Sequence, residues 1–301
     1  MNYTLHQLQV FLKIAETGSV TKAAEALHLT QPAVSMQLKN LQEQFEIPLT
    51  EVIGRKIHIT GFGREIARAA DKIIREVHRI NYQVLAHKGL LTGELRISVV
   101  STGIYVIPFF LSSFLKLNPG IELRIDVTNK QKVISSLEKN DVDFALVSIL
   151  PEKPRTQSIS LLDNNLFLVG QGNRPPLKLK PGSDALKDIP MIFREEGSGT
   201  RLLMETFLRK QNLKAGRFIE LGSNEAVKQA VIAGLGYSVM PLIGIRHELS
   251  SGDLQIVPVK GLPIKSSWRL VWLQGKQFSP QASEFLKHIE ENKSKILERW
   301  F

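Results

Sequence analysis

At four places the chain sets hydroxyl or amide side chains beside a point where a helix should begin. These are Ser101-Thr102, Asn129-Lys130, the run Gly197-Ser198-Gly199-Thr200-Arg201, and Ser223-Asn224. The first turn of a helix leaves backbone N–H groups unpaired and carries the positive end of the helix dipole. Polar side chains placed there suit a carboxylate or a phosphate. The Gly-Ser-Gly-Thr-Arg run is the richest, because its two glycines let an anion approach the backbone and Arg201 can add a bidentate contact. Singly, Ser, Thr and Asn are also the ordinary helix N-caps, so any one of the four reads as structural. The candidate anion-binding residues are therefore Ser101, Thr102, Asn129, Lys130, Ser198, Gly199, Thr200, Arg201, Ser223 and Asn224.

A second pattern lies near the N-terminus, where residues 18–45 read GSVTKAAEALHLTQPAVSMQLKNLQEQF. Val20, Ala23, Ala24 and Leu27 form one apolar face, and Val34, Leu38, Leu41 and Phe45 form another at helical spacing. Ser19 and Thr30 sit where side-chain oxygens cap helix starts, and Pro32 falls in a first turn, where its missing N–H costs nothing. Ala23 and Ala24 are small enough for the two helices to cross closely. This is the pattern of a helix-turn-helix, whose second helix offers its N-terminal side chains to base edges in the major groove. Gln31 is the candidate base reader through its bidentate amide, with Pro32 and Met36 placed for thymine methyl groups. Thr30, Ser35, Lys39, Arg55 and Lys56 are candidate phosphate contacts. Ser19, Thr21 and Lys22, at the start of the preceding helix, complete the candidate DNA-binding set.

Other chemistries lack their residues. There is no cysteine, which excludes disulfides, Cys-based zinc sites and thiol redox sensing. The seven histidines are scattered without metal-ligand spacing, and no Gly-x-Ser-x-Gly, Walker or dinucleotide fingerprint occurs. No metal and no cofactor is expected. The net charge of +10 favours a polyanionic partner. However, residues 1–88 hold 11 Lys/Arg against 8 Asp/Glu, so the excess lies mostly outside the helix-turn-helix. Local pattern, not global charge, carries the nucleic-acid reading. The N-terminus MNYTLHQLQVF lacks the basic and apolar regions of an export signal, which predicts the cytoplasm. Residues 97–115 carry no charge, but their serines and Pro108 fit a strand, a turn and a helix better than a membrane span.

The elements that position these groups follow from periodicity. Leu5, Leu8, Phe11, Leu12 and Ala15 predict an amphipathic first helix. Leu49–Ile53 and Ile57–Thr60 flank Gly54-Arg55-Lys56 and predict a hairpin wing with a basic tip. Thr60 then caps a helix running to Lys88. On a heptad, Ile66, Ile73 and Ile80 take one core position and Ala70, Val77 and Val84 the other, the seam of a dimerising linker helix. Beyond Gly89 strands and helices alternate. Strands are expected at Glu94–Val100, Glu122–Val127, Val142–Ser148, Leu161–Gly170, Met191–Phe193, Phe218–Leu221 and Tyr237–Met240. Helices are expected at Tyr105–Leu117, Lys130–Lys139, Arg201–Gln211, Glu225–Ala233 and Pro280–Lys295. The alternation predicts an α/β domain with a mostly parallel sheet.

The helix-turn-helix run, a wing ending Lys56-Ile57-His58-Ile59-Thr60, and Gly63 together resemble the LysR-type transcriptional regulators. QPAVSMQ, EVIGRKI, REEGSGTR and GSNEAVKQAVIAGLG resemble the branch of that family controlling RuBisCO (carbon-fixation) operons. One departure is Thr50 after Leu49, where the family usually has Leu-Phe; the resemblance implies a less tightly packed wing. It also implies a winged helix-turn-helix over 1–60, a linker helix over 61–89, and an effector domain over 90–301. That domain would comprise two Rossmann-like lobes of the periplasmic-binding-protein type II kind: lobe 1 at about 90–164 plus 267–301, lobe 2 at about 165–266. The resemblance further implies that the four helix starts converge on one crevice for a small anionic metabolite, phosphorylated or dicarboxylate. Double-stranded promoter DNA and further copies of the chain, as a dimer or tetramer, are the implied partners. A solute-binding protein or an enzyme on the same two-lobed fold is the alternative, opposed by the helix-turn-helix.

Overall fold

The computed structural model describes residues 2–54, 56–87, 91–172, 175, 189–211 and 218–301. The chain divides into two compact units, Met1–Leu90 and Leu91–Phe301.

In the first unit, α1 (Leu5–Thr17) starts in a capping box between Thr4 and Gln7. Ser19 caps α2 (Val20–Leu27) and Thr30 caps α3 (Gln31–Gln42), each accepting a first-turn backbone N–H. The turn between them passes through His28 in the left-handed region, and the Leu29 N–H donates back to the Ala24 carbonyl. Ala23 and Ala24 are buried, as the close crossing requires, among Val10, Ile14 and Val34. The wing is an antiparallel hairpin of β1 (Thr50–Ile53) and β2 (Lys56–Ile59), registered from Thr50 opposite Ile59 to Ile53 opposite Lys56. Leu49, fully buried, anchors its base, and Thr50 takes its ladder position without an aromatic ring.

From Gly61 to His87 runs α4, whose first turn is closed by the Thr60 hydroxyl accepting the Gly63 N–H at 2.9 Å. The expected seam divides here. Ile66 and Ala70 pack into the unit's own core with Leu8, Phe11 and Leu41, while Ile73, Ile80 and Val84 stand exposed.

The second unit begins with β3 (Gly93–Val100), a 3-10 turn over Ser101–Tyr105, α5 (Ile107–Leu117), β4 (Ile121–Thr128), α6 (Lys130–Glu138) and β5 (Phe144–Val147). The 97–115 run is thus strand, turn and helix; no helix among the described residues is long and apolar enough to cross a membrane. A long strand β6 (Thr156–Gln171) then carries the chain into a second lobe. That lobe holds β7 (Met191–Arg194), α7 (Gly199–Lys210), β8 (Phe218–Leu221), α8 (Asn224–Ile232), β9 (Ser238–Pro241), α9 (Arg246–Ser251) and β10 (Leu254–Ile256). The return is β11 (Ile264–Leu273), and α10 (Pro280–Trp300) packs back on the first lobe against α5.

The sheet corrects one expectation: it is mixed, not mostly parallel. Its order is β10-β6-β11-β5-β3-β4, with β9 also pairing β6. Among the described residues of this sheet, β3 runs parallel to β4 and to β5, whereas β11 is antiparallel to both β5 and β6, and β6 to β9 and β10; β7 and β8 form a separate parallel pair in the second lobe. The cause is the double crossing, since β6 leaves for the second lobe and β11 returns beside it over ten residues. Phe110, Phe114, Phe144, Phe285 and Trp268 fill the first lobe's core, each phenylalanine burial contributing about 1.5–3 kcal/mol. The second lobe has smaller cores, around Phe193, Met204 and Phe207, and around Val169, Ile192 and Met240.

Candidate DNA-reading face and anion crevice

On the first unit, capping and burial decide which side chains face outward. Because Val34 and Leu41 fix the buried side of α3, Gln31, Pro32, Ser35, Met36 and Lys39 fall on its exposed side. Met36 is 61% exposed, an unusual position for a large apolar side chain unless a surface covers it. Thr21 and Lys22 are exposed at the start of α2, while the Ser19 hydroxyl accepts the Lys22 N–H and the Thr30 hydroxyl the Ala33 N–H. Lys56 is exposed at the start of β2; Arg55 lies outside the described residues. The hydroxyls of Ser19 and Thr30 are therefore already engaged as caps, and the outward cations among the candidates are Lys22, Lys39 and Lys56.

In the second unit, seven of the ten anion-binding candidates meet. Ser101 and Thr102 after β3, Asn129 and Lys130 at the start of α6, and Ser198, Gly199 and Thr200 at the start of α7 line one cavity between the lobes. Val100, at the end of β3, and Ser148, after β5, complete the lining and were not among the candidates. Two helix N-termini from different lobes are thus brought together, both capped by their own side chains: Asn129 accepts the Lys132 N–H and Ser198 the Arg201 N–H. Thr102, Ser198 and Thr200 are buried. Burial pushes the Lys130 ammonium below its ordinary pKa, with Glu152 opposing the shift. A bound anion would restore the charged form.

The crevice is shut. The Gln131 N–H donates to the Gly197 carbonyl across it at 3.3 Å, and Arg194 Nη2 donates to Ser101 Oγ at 2.9 Å. The volume left in the crevice is about 10 Å³, room for about one water molecule.

The other three candidates go elsewhere. Arg201 points away: Nε donates to Glu205 at 2.7 Å, and Nη1 to Glu220 at 2.6 Å and to the Arg194 carbonyl at 3.1 Å. It braces α7 against β7 and β8, so the expected bidentate ligand contact is replaced by two carboxylates of the protein. Ser223 caps α8, its hydroxyl accepting the Ala226 N–H at 3.1 Å. Asn224, buried, meets Tyr105 of the first lobe, its Nδ2 donating to the hydroxyl at 3.4 Å. Sequence reasoning also missed Arg194, 3% exposed at the end of β7 and paired with Glu195. A charged residue closing the buried run Met191-Ile192-Phe193 was the available signal.

A larger open cleft of about 620 Å³ lies on the first unit, lined by Ala15, Ile59, Gly61, Arg64, Glu65, Ala67 and Arg68. It offers no converging helix starts, and Arg64 is engaged with the Ile59 carbonyl. No group of His, Cys, Asp and Glu side chains among the described residues could hold a metal.

The profile of the bacterial regulatory helix-turn-helix proteins of the lysR family matches residues 5–64, and that of the LysR substrate binding domain matches residues 88–294. The HTH-type transcriptional activator CmpR of Synechocystis sp. is 37% identical over 289 residues, 96% of this chain and 95% of that protein. A RuBisCO operon transcriptional regulator of Acidithiobacillus ferrooxidans is 36% identical, covering 95% of this chain and 93% of that protein. The Synechocystis PCC6803 CcmR regulatory domain in complex with 2-PG is 34% identical, with TM-score 0.61, covering 67% of this chain and 98% of that one.

Proposed function

This chain belongs to the LysR family of bacterial transcriptional regulators, and on that premise we propose that a small anion in the interlobe crevice controls its hold on promoter DNA. The observation that carries the reading is the meeting of the α6 and α7 starts, with Thr102, Lys130, Ser198 and Thr200, on one cavity. Two helix dipoles, hydroxyl donors and an ammonium form a site for negative charge. The similar CcmR domain carries 2-PG, an anion of this kind. Because the closed crevice has room for only about one water, an effector binds a more open lobe arrangement. It shifts the population by the difference in its affinity for the two arrangements.

Residues 1–60 act as the DNA reader, 61–89 as the linker helix and 90–301 as the effector domain. The exposed Ile73, Ile80 and Val84 on α4 support pairing of two copies. Two readers then engage successive half-sites, and each multiplies the other's binding. Gln31 reads base edges, with Pro32 and Met36 against thymine methyls. Lys22, Lys39, Arg55 and Lys56 set register through phosphate. The protein works in the cytoplasm as a regulator and not as an enzyme, in keeping with the names of its relatives.

Calorimetry with 2-phosphoglycolate and a mobility-shift assay on the protein's own promoter region test the reading together. Wild-type protein is expected to bind both. Thr102→Ala should weaken 2-phosphoglycolate at least tenfold and leave unliganded DNA binding within twofold. Failure to bind the promoter would refute the regulator; unchanged ligand affinity in Thr102→Ala would refute the crevice.

A further inference from the structure

We infer that Arg194 is a second anion station of this crevice, and that the effector is accordingly a two-headed acid. The inference rests on the crevice reading above and extends it to the class of ligand. A guanidinium presents five N–H donors, arranged along two edges that can each hold a carboxylate. In Arg194 the Nε/Nη2 edge is filled by the Glu195 carboxylate, at 2.7 and 2.9 Å. The remaining hydrogen on Nη2 goes to Ser101 Oγ at 2.9 Å. Nη1 has no hydrogen-bond partner among the described residues, although the atom is fully buried and the side chain only 3% exposed.

A buried charged donor left unpaired is costly and rare in native proteins. The Nη1/Nη2 edge is thus half-used, and its one contact is a residue of the crevice wall. When the lobes part, Ser101 leaves with the first lobe while Glu195 stays beside Arg194 on the second. An acidic group entering from the crevice then takes both donors of that edge. The backbone of Arg194 is held in place meanwhile, its carbonyl accepting Arg201 Nη1. The other station is the pair of helix starts with Lys130 and Thr200. One negative group for each station requires two acidic groups on a short frame, either a phosphocarboxylate or a dicarboxylate.

The test is calorimetry on the full chain with four probes. Two are two-headed, 2-phosphoglycolate and succinate, which distinguish phosphate-bearing from purely carboxylic ligands. Two are single-headed, glycolate and inorganic phosphate. Wild-type protein should favour the better two-headed probe at least 30-fold over the better single-headed one. Arg194→Lys, which keeps the charge and loses the fork, should reduce that advantage below fivefold while leaving single-headed binding within threefold; Arg194→Gln is the second variant. No advantage in wild-type protein, an advantage retained in the variants, or an equal loss for every probe overturns the second station alone. Failure of all four probes on wild-type protein overturns the crevice reading with it. The wild-type comparison decides whether or not a variant folds.

Discussion

Two glycines in one helical turn should respond in opposite directions to the same substitution. A methyl at Gly63 would lie 2.0 Å from the Leu49 carbonyl oxygen and 2.9 Å from Ile59 Cγ2. At Gly61 the only atom within 4 Å is the tip of Arg64, at 3.9 Å. The Leu49 oxygen accepts the Thr60 N–H at 3.1 Å, so this one carbonyl ties the base of the wing to the start of α4. Restoring ordinary separation in Gly63→Ala requires the backbone to move by about 1 Å or more. That loses a hydrogen bond contributing about 1 kcal/mol and adds overpacking of about 1–3 kcal/mol. Replacing a helical glycine recovers at most about 1 kcal/mol, leaving a net loss of about 1–3 kcal/mol. For a unit of this size, the midpoint of its unfolding should fall by roughly 4–8 °C per kcal/mol. Gly61→Ala should be neutral or slightly stabilising. Scanning calorimetry on the full chain reads the first transition, and fluorescence anisotropy with promoter DNA reads the wing. Gly63→Ala should weaken all DNA sequences together, because a displaced wing loses phosphate contacts and not base readout. An unchanged transition in Gly63→Ala, or an equal fall in Gly61→Ala, would refute the coupling of wing to linker helix.

Gln31→Ala should lose about 1–3 kcal/mol of discrimination at one base position, whereas Lys39→Ala should weaken all sequences alike and make the salt dependence shallower. Binding to single-base operator variants at several salt concentrations separates the two, and identical base preferences in both variants would show the division of labour to be wrong. His288, on α10, is held below its ordinary pKa by burial, with Glu284 and Glu291 opposing; its Nε2 lies 2.9 Å from Ser113 Oγ and its ring against Phe114. The unfolded chain therefore takes up the proton first, so the stability of the effector unit should decline as pH falls below about 6.5. Unfolding midpoints across pH should show a shallower acid decline in His288→Gln; an undiminished decline would assign it to other groups.

The DNA-reading unit was legible because its signals are local. Caps at Ser19 and Thr30, Pro32 in a first turn and paired alanines at a crossing all act within a few residues, and the structure places each as read. The sheet was less legible because strand direction is set by distant partners. The strand expected at Leu161–Gly170 starts five residues earlier, because Thr156–Ser160 lengthens β6 where Arg269, Leu270, Val271, Trp272 and Leu273 come back beside it. Ile264–Leu273 lacks clean alternation, since a strand crossing between lobes meets different surroundings along its length. The linker seam was half legible: the heptad was present, but tertiary packing had already claimed Ile66 and Ala70.

The crevice shows the same division at the level of single residues. Helix starts are local, so seven candidates converge. The direction of an arginine is not local. Arg201 sits in the right turn, but its neighbour one turn on is Glu205, and that i,i+4 pairing was visible in the sequence as a competitor for its charge. Glu220, from β8, completes the diversion and was not visible. Arg194 is the converse, hidden in sequence as the end of a buried strand and brought by the fold against Ser101 of the crevice wall. Of two arginines seven residues apart, the one with its carboxylate partners complete serves the scaffold. The one with a buried donor unmatched is left to serve a ligand.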